Sequence, residues 1–204
     1  MKHDLDDVAR RLISDPVRFK MSMAKHFLEK IPKKMPESDI KRMALEADID
    51  SFLFFASSVI DVVKREINNE FELFDQENVF YIHGIRKKLA DSGKQKKVKK
   101  IIADYFSTPS KKQTAKSNIN TRQSSLWRLQ ILRNKATHGY ILRSRDRESL
   151  KIVYTIRHHG QHGGLQFCFE EDVRNPQKYF GGIFSDLSCF VRKTRKLVLP
   201  KKNA

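Results

Sequence analysis

The residues of this chain best suited to chemistry stand together in Arg133-Asn134-Lys135-Ala136-Thr137-His138-Gly139-Tyr140. On a helix, Asn134 and His138 fall one turn apart on a shared face. Arg133 lies about 100° round from Asn134, and its long side chain can reach back to that face. An imidazole exchanges a proton near neutral pH, and in the last turn of a helix the negative end of the macrodipole favours its charged form. Beside a fixed guanidinium, such a group suits acid–base chemistry on a phosphate ester. The plainer alternative is a helix end capped by a basic residue, with Gly139 in the left-handed position. Spacing alone favours that capping reading.

A motif of this kind needs a helix to hold it. Leu126, Trp127, Leu129, Ile131 and Leu132 give an apolar side to a helix that begins near Ser124. Further upstream, residues 4–15 fit a short amphipathic helix carrying Leu5, Val8, Leu12 and Ile13. Asp15-Pro16 then opens a second helix that runs to Ile31-Pro32. Residues 37–69 read as helix, either one long helix or two with a break near Asp48-Ile49-Asp50. Residues 51–60 are apolar nearly all round, as in a centrally buried helix, and Asp61 directly after them calls for a structural partner.

An aromatic-rich loop from Phe71 leads into a helix with Ile82, Ile85 and Leu89, and a further helix carries Val98, Ile101, Ile102, Tyr105 and Phe106. Residues 108–125 are poor in apolar side chains and read as a loop, either an idle linker or one that folds over a ligand. After Tyr140 the period switches to alternation. Ile152, Tyr154 and Ile156, then Leu165, Phe167 and Phe169, predict a β-hairpin around a His- and Gly-rich tip, with residues 140–142 as a candidate third strand. Pro176 opens a last helix whose core side is Phe180, Ile183, Phe184, Leu187, Phe190, Val191 and Leu197.

The chain of 204 residues carries a formal charge of +17. An excess that large attracts polyanions, which makes nucleic acid the expected partner class. Its densest expression is Lys94, Lys96, Lys97, Lys99 and Lys100, preceded by Arg86 and Lys87. A charge run usually marks only a solvated face, but the overall excess turns these residues into the expected contacts to nucleic-acid phosphates. No stretch approaches the ~20 apolar residues that span a bilayer, so no membrane partner is expected. The N-terminal residues lack the apolar core of a secretory signal, which predicts a cytoplasmic protein. The apolar content suffices for one core. Residues 1–140 are therefore expected to form a helical core that includes the motif helix. Residues 141–204 are expected to form a hairpin and a terminal helix packed on it, as one compact domain.

Cys168 and Cys189, the two cysteines, read as small buried residues rather than a disulfide. His158, His159, His162 and Cys168 match no closed four-ligand spacing, so no metal site is expected. The chain has no phosphate-cradling G-x-x-x-x-G-K-[ST] loop, no dinucleotide fingerprint and no G-x-S-x-G elbow. No cofactor is expected. Arg133 and His138 remain as the constellation with clear chemistry.

Arg133-Asn134-Lys135-Ala136-Thr137-His138 has the R-N-x-x-x-H form of the R-x(4–6)-H signature. With that motif near the end of a late helix, a buried long helix upstream and strong basicity, the chain resembles the HEPN superfamily. The resemblance implies a mainly α fold, a HEPN-like antiparallel helical bundle, to which the small C-terminal β-hairpin and terminal helix are additions. It implies a metal-independent endoribonuclease of prokaryotic defence or a toxin–antitoxin system. Such enzymes act as homodimers whose two motifs meet in one composite cleft. Arg133 and His138 would be catalytic, and Asn134 would orient the histidine or the phosphate.

Without a metal, the nucleophile has to be the substrate's own 2′-hydroxyl, with imidazole moving protons and arginine steadying the phosphorane. One imidazole cannot be acid and base at once, so a second chain supplies the other. Arg133-x(4)-His138-x-Tyr140 also fits HEPN toxins whose tyrosine is adenylylated by a nucleotidyltransferase antitoxin. That resemblance makes Tyr140 a candidate modification site and an antitoxin or nucleotidyltransferase a candidate partner; the plainer role for Tyr140 is packing at the start of the next strand. The alternative function is a catalytically silent RNA-binding or scaffold module. A third reading, duplex DNA binding, lacks a helix-turn-helix signature.

Overall fold

The computed structural model describes residues 14–74, 81–107, 125–137, 149–158 and 165–199, with side chains described for all of these except 135–137, 153–158 and 165–170. The expected first helix, the candidate third strand and the hairpin tip at 159–164 lie outside those residues, apart from Ser14 and Asp15. The described chain is mainly helical, with one two-stranded antiparallel sheet and a terminal helix. Among the described residues no helix is long and apolar enough to cross a membrane.

Helix α1 (Pro16–Lys30) starts where Asp15 accepts hydrogen bonds from the amides of Val17 and Arg18, at 3.1 and 3.2 Å, and Pro16 fills a position that needs no amide hydrogen. Helix α2 (Asp39–Phe71) is capped by Ser38 and runs 33 residues, about 50 Å, without interruption. The break considered near Asp48-Ile49-Asp50 is absent, because Ile49 is fully buried and pins that turn into the core. Asp61 has the structural partner its position called for, the ammonium of Lys64 at 2.6 Å. The helix ends at Glu72, which takes a left-handed conformation (φ 49°), and the Asn68 side chain accepts from the Phe74 amide at 3.0 Å to close the turn.

Helices α3 (Ile82–Lys88) and α4 (Gly93–Phe106) follow as a tight pair, then α5 (Ser125–Thr137). Strands β1 (Leu150–His158) and β2 (Leu165–Val173) pair from Leu150 opposite Val173 to His158 opposite Leu165. Alternation sorts the described part of this ladder. Leu150, Ile152 and Val173 are buried, while Lys151 and Asp172, opposite one another, face solvent. Helix α6 (Pro176–Val198) begins at an Asn175 cap that accepts from the Lys178 amide at 2.8 Å.

One core holds these elements together. Helix α2 turns Leu45, Ile49, Phe52, Leu53, Ala56, Ile60, Val63 and Ile67 inward, and α6 lies against α1, α2, α4 and α5. Phe180 and Phe184 of α6 meet Phe52 at ring distances of 5.6 and 6.4 Å. Phe190 meets Tyr105 and Phe106 edge-on at 5.9 and 5.2 Å. Cys189, expected to be buried, is only half-buried, because it sits beside that apolar stripe; the Arg192 guanidinium lies 3.8 Å from its sulfur.

A charged clasp ties three helices across the core's edge. Arg195 of α6 donates to Asp15 at 2.9 Å and grips both oxygens of Glu66 on α2, at 3.1 and 3.0 Å. Burial alone would raise the Asp15 carboxyl, but the hydrogen bonds and charge of Arg195, with the Arg18 and Val17 amides, hold it below the ordinary range. At Glu66 burial wins and raises the carboxyl, against the pull of Arg195 and with the Asp15 charge adding to it. These side chains are about four-fifths buried, with 18–21% of their surface exposed. Removing the shared cation leaves two desolvated carboxylates facing each other. Arg195→Met is expected to lower unfolding free energy by about 2–3 kcal/mol in a urea titration. A loss below about 0.5 kcal/mol would place the clasp among ordinary surface pairs.

Candidate functional site: a motif helix beside a basic strip

Helix α5 is anchored along most of its length. Ser125, Leu126, Leu129 and Leu132 are fully buried and Trp127 and Arg128 nearly so, against α2, α4 and α6. At Arg133 and Asn134 the side chains emerge into solvent. The first two motif residues are thus carried side by side at the end of a helix that cannot pivot without opening the core. His138, Gly139 and Tyr140 lie outside the described residues, as do the proposed sharing of a face by Asn134 and His138 and the cap at Gly139.

Arg128, five residues before Arg133, was not among the sequence expectations. It is 4% exposed, its NH1 stands 3.9 Å from a Glu171 oxygen on β2, and its guanidinium carbon lies 5.5 Å from the centre of the Tyr179 ring on α6. Tyr179 donates to the same carboxylate at 2.9 Å. Among the described residues, Nε and NH1 of Arg128 find no hydrogen-bond acceptor. A buried guanidinium held by a carboxylate and a π face locks the motif helix to the sheet and to α6. The signal in the sequence was a lone cation inside the apolar run Leu126-Trp127-Arg128-Leu129.

The expected RNA contacts fall on α3 and α4, and the structure divides them. Residues 82–106 carry eight cations against two acids, Asp91 and Asp104. Lys94 pairs with Glu70 of α2 at 3.2 Å and Lys99 with Asp91 at 2.8 Å. The hydrogen bond and charge of Lys99, with the charge of Lys96 added, hold the exposed Asp91 carboxyl below its ordinary range. Lys88 lies over the Phe74 ring at 5.1 Å. Among the described residues no acid comes within ion-pair distance of Arg86, Lys87, Lys96, Lys97 or Lys100, and all but the half-buried Arg86 are exposed.

The α3–α4 turn that presents them is stiff. Ile82, Ile85 and Leu89 are buried beneath it, and Gln95 accepts from the Ala90 amide at 2.7 Å. Lys193 of α6 extends the basic surface, its ammonium 5.7 Å from the Tyr105 ring. This strip and the motif helix share a neighbour, since α5 packs on α4.

His83 stands among these cations. Burial lowers its titration below the ordinary 6.5, and the charges of Arg86 and Lys87 lower it further. At neutral pH it therefore presents an uncharged imidazole within a cationic surface. Neither His83 nor the exposed Tyr81 was anticipated, although the aromatic richness of 71–81 was visible. As for metals, no group of three or more His, Cys, Asp or Glu gathers among the described residues; the histidine-rich tip lies outside them.

Comparison with known proteins adds no relative: no family model matches the chain, and no curated protein or solved structure does. The site therefore stands on its own residues.

The division of the strip has a measurable consequence. Replacing Lys87, Lys97 and Lys100 together by glutamine is expected to flatten the salt dependence of binding to a single-stranded oligonucleotide by about 2 in the log–log slope. Lys94→Gln, which removes a cation already held by Glu70, should change that slope far less. A change of about 0.7 for Lys94→Gln, a third of the triple effect, would mean that the pairing does not matter. For His83, Arg86→Gln is expected to move the titration upward toward 6.5, followed by NMR of the ring protons; an unmoved titration would leave burial and the Lys87 charge as the causes.

Proposed function

We propose that this chain is a HEPN-type endoribonuclease that cleaves RNA without a metal, in the cytoplasm, as a homodimer. The observation that carries the reading is the placement of Arg133 and Asn134, exposed at the end of a locked helix that packs against the helix of the basic strip. The strip would hold the phosphodiester backbone. The motif would act on one phosphate of it.

In that mechanism His138 of one protomer takes the proton from the 2′-hydroxyl as its oxygen attacks the adjacent phosphorus. His138 of the second protomer gives a proton to the departing 5′-oxygen, so the products are a 2′,3′-cyclic phosphate and a free 5′-hydroxyl. Arg133 steadies the charge that develops on the phosphorane, and Asn134 orients the imidazole or the phosphate. Prokaryotic defence, or a toxin held by an antitoxin, is the setting this chemistry suits. Tyr140 would then be the residue open to adenylylation by a nucleotidyltransferase partner.

The basic strip alone would equally serve a silent RNA-binding module, and the two readings part at His138. Wild-type protein is expected to cut labelled RNA in EDTA and leave a cyclic phosphate end. His138→Ala should lower the rate at least a hundredfold, the scale of a lost general acid–base group, with RNA affinity kept. No cutting by the wild type, together with firm RNA binding, would favour the silent module. Full activity in His138→Ala would remove the mechanism.

A further inference from the structure

Tyr81 is 78% exposed, and its side chain makes no hydrogen bond, ring contact or ion pair among the described residues. Its backbone is nevertheless fixed. The Tyr81 carbonyl accepts from the amides of Gly84 and Ile85 at 2.8 and 3.1 Å, and Ile82 and Ile85 are buried directly beneath. A lone exposed ring is ordinary on a protein surface. This one stands on a rigid mount, within one short helix of the exposed His83 and Lys87 and the half-buried Arg86. The two acids of the α3–α4 unit do not offset those cations, since Asp91 is held by Lys99 and Asp104 lies near the far end of α4.

We infer that Tyr81 is a stacking platform for an unpaired base of single-stranded nucleic acid, with Arg86 and Lys87 holding the flanking phosphates. Cations that track a backbone beside an aromatic ring that takes a base are the two parts from which single-strand sites are built. Lys87 follows Tyr81 by about 9 Å along the helix axis, so ring and cation address different parts of one strand. Tyrosine has few rotors to order, so a ring on a fixed mount binds at small entropic cost. In a duplex each base face is already covered by its neighbours, and Tyr81 would have nothing to take. An acidic protein would use the cations and leave the ring idle.

This assignment rests on the nucleic-acid reading of the strip and not on cleavage at Arg133 and His138. The probe is a fluorescent oligothymidylate, which lacks the 2′-hydroxyl that cleavage requires. It is compared by anisotropy with an abasic chain of equal length and charge, and with a duplex. Wild type is expected to prefer the oligothymidylate over the abasic chain by about tenfold. Tyr81→Ala should erase that preference while keeping the salt slope, and Tyr81→Phe should keep both.

A Tyr81→Ala variant that still prefers the oligothymidylate would overturn the inference, as would equal losses on the abasic chain and the duplex. So would Tyr81-dependent binding to phosphatidylserine vesicles with none to the oligothymidylate, which would assign the ring to a membrane surface. A wild type that shows the base preference but never cuts RNA would leave the platform standing and remove only the ribonuclease reading.

Discussion

The arrangement of this protein depends on a single apolar stripe that has to satisfy several neighbours at once. Along α6, residues 180, 183, 187, 190, 191, 194 and 198 are all buried, a spacing of three and four that keeps them on one side of the helix. The first half of the stripe meets Phe52 on α2, and Phe190 meets Tyr105 and Phe106 on α4. Because α6 also touches α1 and α5, displacing it would strip the motif helix and α4 of a shared support. Each buried ring contributes roughly 1.5–3 kcal/mol relative to an exposed one. Interior packing leaves little room for partial adjustment. The last helix is therefore the keystone of the helical core and not an appendage to it.

The locked core sets what the surface can do. Arg133 and Asn134 stand where α5 emerges from its packing, and the buried Arg128 reinforces the preceding turn through Glu171 and Tyr179. Side chains on a rigid element keep their geometry, which a composite site of the proposed kind would require. The strip on α3 and α4 is rigid for the same reason, with buried isoleucines under exposed cations. The cations of the strip and the motif residues are thus mounted on adjacent helices of one core.

Much of this architecture was legible from periodicity. The long buried helix, the two strands of the hairpin and the apolar side of α6 all follow from spacing within a single element, where each residue's neighbours are close in sequence. What could not be read is what forms across elements. Lys94 and Lys97 look alike in the run, yet one is held by Glu70 from another helix and the other meets no acid among the described residues. Asp15 reads as a helix cap, which it is; nothing local says that it also binds Arg195. Cys189 lies beside an apolar stripe, and one residue of rotation decides whether it is sealed in. The choice between one helix and two at Asp48-Ile49-Asp50 stayed open on the same ground. Two acids look like a turn, but the isoleucine between them is the residue that packs.

The clasp at Arg195 has a consequence for how the chain is made. Its arginine and Asp15 are separated by 180 residues. During synthesis α1 and α2 leave the ribosome long before α6 does, so Glu66 and the part of α2 that meets α6 wait without that partner. At ordinary rates of elongation that wait lasts on the order of ten seconds or more. Throughout it, a helix of high apolar content stands open to chaperones and to other nascent chains. Closure is then a late, long-range event, the kind of contact that slows folding most. A basic protein expected to engage RNA thus acquires its clasp only after α6 itself has been translated.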